Sequence, residues 1–144
     1  MTFDELKEAW SKDSKFDQLA IEKEIVKIPE MHEKYLKELT TANSDLHKIE
    51  KALDKLTYIK YRYYTGKMDL EEIREYGWEG NQEIILRSDM PMVLAADKDV
   101  SALTEKKKEA ENKVNYCQSV IKEINNRNWQ IRALIDWKKF AAGN

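Results

Sequence analysis

From Leu39 onward, apolar residues recur at Ala42, Leu46, Ile49, Leu53 and Leu56 in alternating steps of three and four, and the register continues through Lys60 to Tyr63. A half-buried strand needs apolar residues at every second position, whereas steps of three and four collect them on one face of a helix. A second seam runs through Val100, Leu103, Lys107, Ala110, Val114, Cys117, Ile121 and Ile124. Two seams of this length predict an all-α protein of long helices with coiled-coil-like packing. Four glycines and two prolines in 144 residues leave little to interrupt such helices, and the 36% of charged residues suits their solvated faces.

The punctuation between the seams sets the expected boundaries. Phe3, Leu6 and Trp10 predict a short amphipathic helix over residues 2 to 12. Residues 13 to 28 read as polar and less regular, and Pro29 with Glu30 suits the first turn of the next helix. Gly66 is placed to end that helix as a left-handed cap. Asp69 followed by Glu72 predicts a capping box for a short helix over 70 to 76, broken by Gly77, Gly80 and Asn81. The second long pattern begins after residues 88 to 91. Asn125, Asn126 and Asn128 suggest a weak turn, after which an apolar face resumes and Gly143 ends it. The chain is thus read as an N-terminal helical region, 1–88, and a C-terminal one, 89–144.

That last face consists of Trp129, Ile131, Leu134, Ile135, Trp137 and Phe140. Together with the seams it is more apolar surface than a two-helix pair covers, so these six residues are expected to hold a homo-oligomer.

Little in the sequence points to catalysis or to a cofactor. His32 and His47 have no metal-ligand companions, Cys117 lies on a seam as a small apolar residue, and no glycine-rich loop is present to cradle a phosphate. Asp97 and Asp99 fit the first turn of a helix, where acids face its dipole; a magnesium-dependent nuclease built on them is the minor rival. The chain is expected not to be an enzyme. It shows no basic leader followed by an apolar stretch, and its longest apolar run, 90 to 96, is interrupted by Pro91 and too short to span a membrane. A lone cysteine fits a reducing cytoplasm. The net charge of −2 means that any polyanion must be gripped by a local patch.

One patch stands out. Residues 58 to 67, YIKYRYYTGK, hold four of the seven tyrosines and three cations, and from Lys55 through Met68 there are four cations and no acid. At 100° per residue, Ile49, Leu53, Leu56, Tyr63, Tyr64 and Lys67 fall within about sixty degrees of Lys60, on the seam. Lys51, Lys55, Tyr58 and Arg62 fall on the opposite face. Tyr63 and Tyr64 therefore read as packing residues. Lys60 reads as a seam lysine that must reach water or an anion. Cations that track phosphates beside aromatic rings that stack on bases suit single-stranded nucleic acid. Lys55, Tyr58, Lys60, Arg62 and Lys67 are the candidate DNA-binding residues, with Tyr58 as the stacking ring. The rival is a coiled-coil adaptor that binds no DNA, its basic segment docking on an acidic stretch such as residues 69–83.

These residues also carry a family resemblance. Tyr63-Tyr64-Thr65-Gly66 with cations before it, Val93-Leu94-Ala95-Ala96-Asp97-Lys98-Asp99-Val100, and the C-terminal Phe140-Ala141-Ala142-Gly143 resemble motifs of the UvsY recombination mediators of T-even-related tailed phages. The resemblance implies a ring-like hexamer or heptamer formed through the C-terminal region. It also implies binding to single-stranded DNA, to a UvsX-like recombinase and to the phage single-strand-binding protein, in the cytoplasm of the infected bacterium. The family motif reads Leu-Lys-Ala-Arg-Leu-Asp-Tyr-Tyr-Ser-Gly, with DNA contacts on its lysine and arginine. Aligned without a gap, Lys60 takes the arginine, Tyr58 takes the lysine, and Arg62 stands where the family has aspartate.

Overall fold

A computed structural model of the chain describes residues 1–80 and 83–143. These residues form six helices and no strand: α1 (Phe3–Asp13), α2 (Ile21–Tyr64), α3 (Leu70–Glu75), α4 (Met90–Ala96), α5 (Lys98–Asn125) and α6 (Arg127–Ala141). The all-α expectation holds. Packing divides the chain into two compact units, Met1–Ser44 with Glu111–Asn144, and Asp45–Ala110. These units are drawn by tertiary contact and do not follow the border at residue 88.

In the first unit, Leu6, Met31, Tyr35, Cys117, Val120 and Ile124 are buried together, with Phe3, Trp10, Ile28, Leu39, Tyr116 and Ile121 packed around them. α1 begins with a full capping box. The Glu5 amide donates to Thr2 Oγ1 at 3.1 Å and the Thr2 amide to Glu5 Oε2 at 2.7 Å. The Tyr35 hydroxyl is satisfied inside this core by Asp13 Oδ2, 2.8 Å away, which also accepts from Lys34 at 2.7 Å.

α2 corrects the expected boundary, because it starts at Ile21 and carries Pro29 in its interior. The missing N–H and the ring of an interior proline cost about 3 kcal/mol. Tertiary packing offsets this: Glu24, Ile28, Met31 and Tyr35, in steps of four, three and four, all turn away from solvent. The first of these inward positions is a glutamate, which hid the period. Its buried carboxylate accepts from the Asp17 amide at 3.2 Å and from Lys27 at 3.4 Å, so the polar connection closes onto the first turn of the helix.

The second unit contains the C-terminal part of α2, α3, α4 and the beginning of α5. Tyr63, Met68 and Ile73 form its buried cluster, with Ile59, Tyr64 and Trp78 alongside. Gly66 has φ +73°, the left-handed geometry expected of it, and Gly77 ends α3 at φ +72°. Asp69 caps α3 by accepting from the Glu72 amide at 2.8 Å, though the Glu72 carboxylate turns elsewhere and the box stays half-closed. The break expected at Asn81 lies outside the described residues. Asn126 does mark the step from α5 to α6.

Candidate nucleic-acid interface at the end of the long helix

The chain leaves α2 through Gly66 and then folds back over the helix end. A Cβ at Gly66 would meet the Ile84 side chain at 3.3 Å, in a backbone conformation that already disfavours one. The Ile85 amide donates to the Tyr64 carbonyl at 3.0 Å, and the Tyr63 hydroxyl donates to the Glu79 carbonyl at 2.7 Å. Segments on both sides of residues 81 and 82 are thereby pinned to the last turn of α2.

Lys60 lies beneath this cover and is only 4% exposed. Its ammonium is 3.1 Å from Asp97 Oδ2, 2.9 Å from Asp99 Oδ2 and 3.8 Å from the centre of the Trp78 ring. Asp97 is the hub. Its Oδ1 accepts from the amides of Asp99 and Val100, capping α5, and its Oδ2 accepts from the Tyr64 hydroxyl. Burial alone would raise the Asp97 pKa, but the Tyr64 hydroxyl, the Val100 amide and Lys60 together bring it below the usual aspartate value.

The acids of the first turn of α5 thus do face the helix N-terminus, and in addition they neutralise a lysine remote in sequence. Arg62 is treated similarly. Its two terminal nitrogens meet the Glu72 carboxylate at 3.2 and 3.4 Å in a half-exposed bidentate pair. The apparent lack of counter-charge between Lys55 and Met68 is therefore a property of the local sequence only. Acids from α3 and from the start of α5 supply it in space. Among the described residues no cluster of His, Cys, Asp or Glu could hold a metal ion.

The five candidate residues separate accordingly. Lys55, Tyr58 and Lys67 are exposed, Tyr58 by 64%; Arg62 is half-buried in its pair; Lys60 is buried in the node. The Lys67 ammonium lies 5.5 Å from the centre of the Tyr61 ring, beside the last turns of α2. Tyr63 and Tyr64 pack edge to face with ring centres 5.0 Å apart and bind inward through their hydroxyls, as the helical wheel implies. The sequence reading overlooked Trp78 and Glu72 as partners. The seam position of Lys60 and the pair of acids around Lys98 gave advance notice of the node.

The six residues of the expected oligomerisation face also divide. Ile131 is buried within its own unit and Leu134 and Ile135 are half-buried, while Trp129, Trp137 and Phe140 are 70%, 62% and 73% exposed. On an α-helix these three aromatics fall within about 80° of one another, so α6 carries an unfilled outer apolar face. No described helix is long and apolar enough to cross a membrane.

Comparison with known proteins agrees with this architecture. The family model described as "Recombination, repair and ssDNA binding protein UvsY" matches residues 9–144. The recombination protein uvsY of Enterobacteria phage T4 is 24% identical over 143 residues, covering 99% of both chains. Two crystal structures of the bacteriophage T4 recombination mediator protein UvsY share the fold. One has a TM-score of 0.84 at 22% identity, covering 99% of this chain and 98% of that one. The other has 0.80 at 21%, covering 98% and 99%. The match of the family model over nearly all of the sequence means that this chain belongs to the UvsY family.

Proposed function

We propose that this protein is a recombination mediator that binds single-stranded DNA and helps a UvsX-like recombinase assemble on DNA covered by the phage single-strand-binding protein. The observation that carries the reading is the exposed edge of α2, where Lys55, Tyr58 and Lys67 stay outward while the neighbouring Lys60 is held by its own acids. Lys55 and Lys67 contact phosphates, and Tyr58 offers a ring face to a base. Arg62 joins by exchange: a half-exposed ion pair contributes only about 0–1 kcal/mol, so a phosphate can replace Glu72 on the same bidentate fork. Lys60 acts from inside, fixing the end of α2 so that the outer residues keep their spacing.

One copy offers three or four phosphate contacts, which is weak binding. The outer aromatic face of α6 supports self-association, and a closed hexamer or heptamer repeats the patch and raises its effective concentration. The C-terminal region, 89–144, then serves assembly, and the region 1–88 supplies the DNA-binding segment. The work of such a protein is to bind one DNA state better than another, which shifts an equilibrium and needs no catalytic group. Its site of action on this reading is the cytoplasm of the infected bacterium.

Light scattering with oligothymidylate tests the reading against a coiled-coil adaptor. A mediator is expected to gain the mass of the bound oligonucleotide at low salt and lose it as salt rises. An unchanged mass at every salt concentration overturns the proposal.

A further inference from the structure

Beyond α3 the chain turns at Gly77, and the rings on either side of it stack: Tyr76 and Trp78 have centres 4.5 Å apart and planes 17° apart. The turn is held in place by two bonds, from the Tyr63 hydroxyl to the Glu79 carbonyl at 2.7 Å and from the Trp78 amide to the Ile73 carbonyl at 3.1 Å. Beside it opens a cleft of about 610 Å³, lined by Tyr76, Trp78, Glu79, Lys98 and Asp99, with Lys60 among the lining residues. Ligand clefts span about 300–1,000 Å³, and the outward DNA residues leave this one unused.

Its charges do not balance. Asp97, Asp99 and Glu79 oppose only Lys60 and Lys98, and the two aspartates share the single Lys60 ammonium. Asp99 is half-exposed at the cleft. The aromatic surface is also only partly used. Trp78 has the Lys60 ammonium 3.8 Å from its ring centre and Tyr76 stacked on it, whereas Tyr76 itself is 48% exposed. The approach is acidic as well: Glu71, Glu75 and Glu79 are exposed and form no ion pair among the described residues, and Arg74 is the one cation from residue 69 to residue 80. Such a rim repels a phosphate backbone and draws in a cationic side chain. A carboxylate beside an open ring suits a guanidinium better than an ammonium, because the guanidinium plane stacks on the ring while its edge donates to the acid.

We infer that this cleft docks an arginine side chain from a basic segment of a protein partner, stacked on Tyr76 and paired with Asp99. The acids of α3 concentrate such a segment near the cleft. The fixed turn presents the ring already in place, so little ordering opposes docking. The inference is independent of the DNA reading, since it uses none of Lys55, Tyr58 and Lys67.

The test is a nuclear magnetic resonance titration of the full chain, ¹⁵N-labelled at its tryptophan indoles, with the Trp78 signal assigned by its loss in Trp78→Phe. The probes are the capped peptide Gly-Arg-Gly-Arg-Gly, its lysine counterpart and oligothymidylate. The arginine peptide is expected to move the Trp78 signal saturably and the lysine peptide to bind more weakly. Tyr76→Ala is expected to weaken the arginine peptide about two- to fivefold, the loss of one exposed cation–π contact, and Asp99→Asn at least as much. Both side chains are exposed and Lys60 keeps Asp97, so both variants are expected to retain the parental melting temperature. No saturable shift with the arginine peptide, or parental affinity in both variants, overturns the inference. A Trp78 shift with oligothymidylate and none with the arginine peptide also overturns it and gives the cleft to DNA.

Discussion

If the proposed homo-oligomer forms through α6, replacing Trp137 and Phe140 with glutamate is expected to reduce it to single chains of 17.0 kDa and to weaken DNA binding at least about tenfold through lost avidity. Both rings are more than half exposed on α6, and they contact each other with centres 5.7 Å apart. Covering a large apolar side chain stabilises by about 1.5–3 kcal/mol, so two of them per copy are a substantial share of a subunit interface. The inward side of α6, with Ile131, is untouched by these changes, so helical content by circular dichroism is expected to remain. Sedimentation or light scattering reads the outcome. An assembly of unchanged mass would mean that another surface joins the subunits.

The second large effect is expected at Lys60. Lys60→Met keeps the length and apolar stem of the side chain but leaves Asp97, itself buried, without its ammonium partner. Removing one member of a buried pair costs about 3–5 kcal/mol. The lower end applies here, since Asp97 retains the Tyr64 hydroxyl and two backbone amides and Asp99 is half-exposed. A loss of that size lowers the melting temperature by about 10 °C. The salt slope for DNA is expected not to change, because the ammonium faces inward; a flattened slope would show that Lys60 reaches phosphate directly.

The same node makes a pH prediction. The folded pKa of Asp97 is depressed relative to its unfolded value, so its contribution is complete above about pH 4 and is lost as pH falls through the folded pKa. Asp97→Asn is therefore expected to flatten the acid limb of the stability curve as well as to lower the plateau. Part of the limb remains through Asp13, whose pKa is also lowered: burial opposes the shift, but Lys34 and Tyr35 outweigh it.

The fold was legible wherever one face of a helix told the whole story. The seams, the left-handed Gly66, the Asp69 cap and the step at Asn126 are local features with local causes. The start of α2 escaped because the first inward residue is Glu24 and the interior breaker is Pro29, both of which tertiary contacts make tolerable. The candidate site was legible in composition and misleading in charge. A run of cations without acids looks free in one dimension, yet Asp97, Asp99 and Glu72 reach two of them in three. Periodicity placed Tyr63 and Tyr64 inward because burial of a ring follows its angle on the helix. It could not place Trp78, which lies between helices, where only the route of the chain decides what it meets.

On the proposed reading, the outward residues of this segment grip DNA and the inward one does not. It is tested most directly by titrating oligothymidylate across a salt series against the parent, a Lys55→Ala, Lys67→Ala double variant and Lys60→Met, each confirmed as folded at the working temperature. The double variant is expected to lose about 1.4 from the salt slope, two contacts at 0.7 each, while Lys60→Met keeps the parental slope. A parental slope in the double variant, with the loss appearing in Lys60→Met instead, would contradict the account.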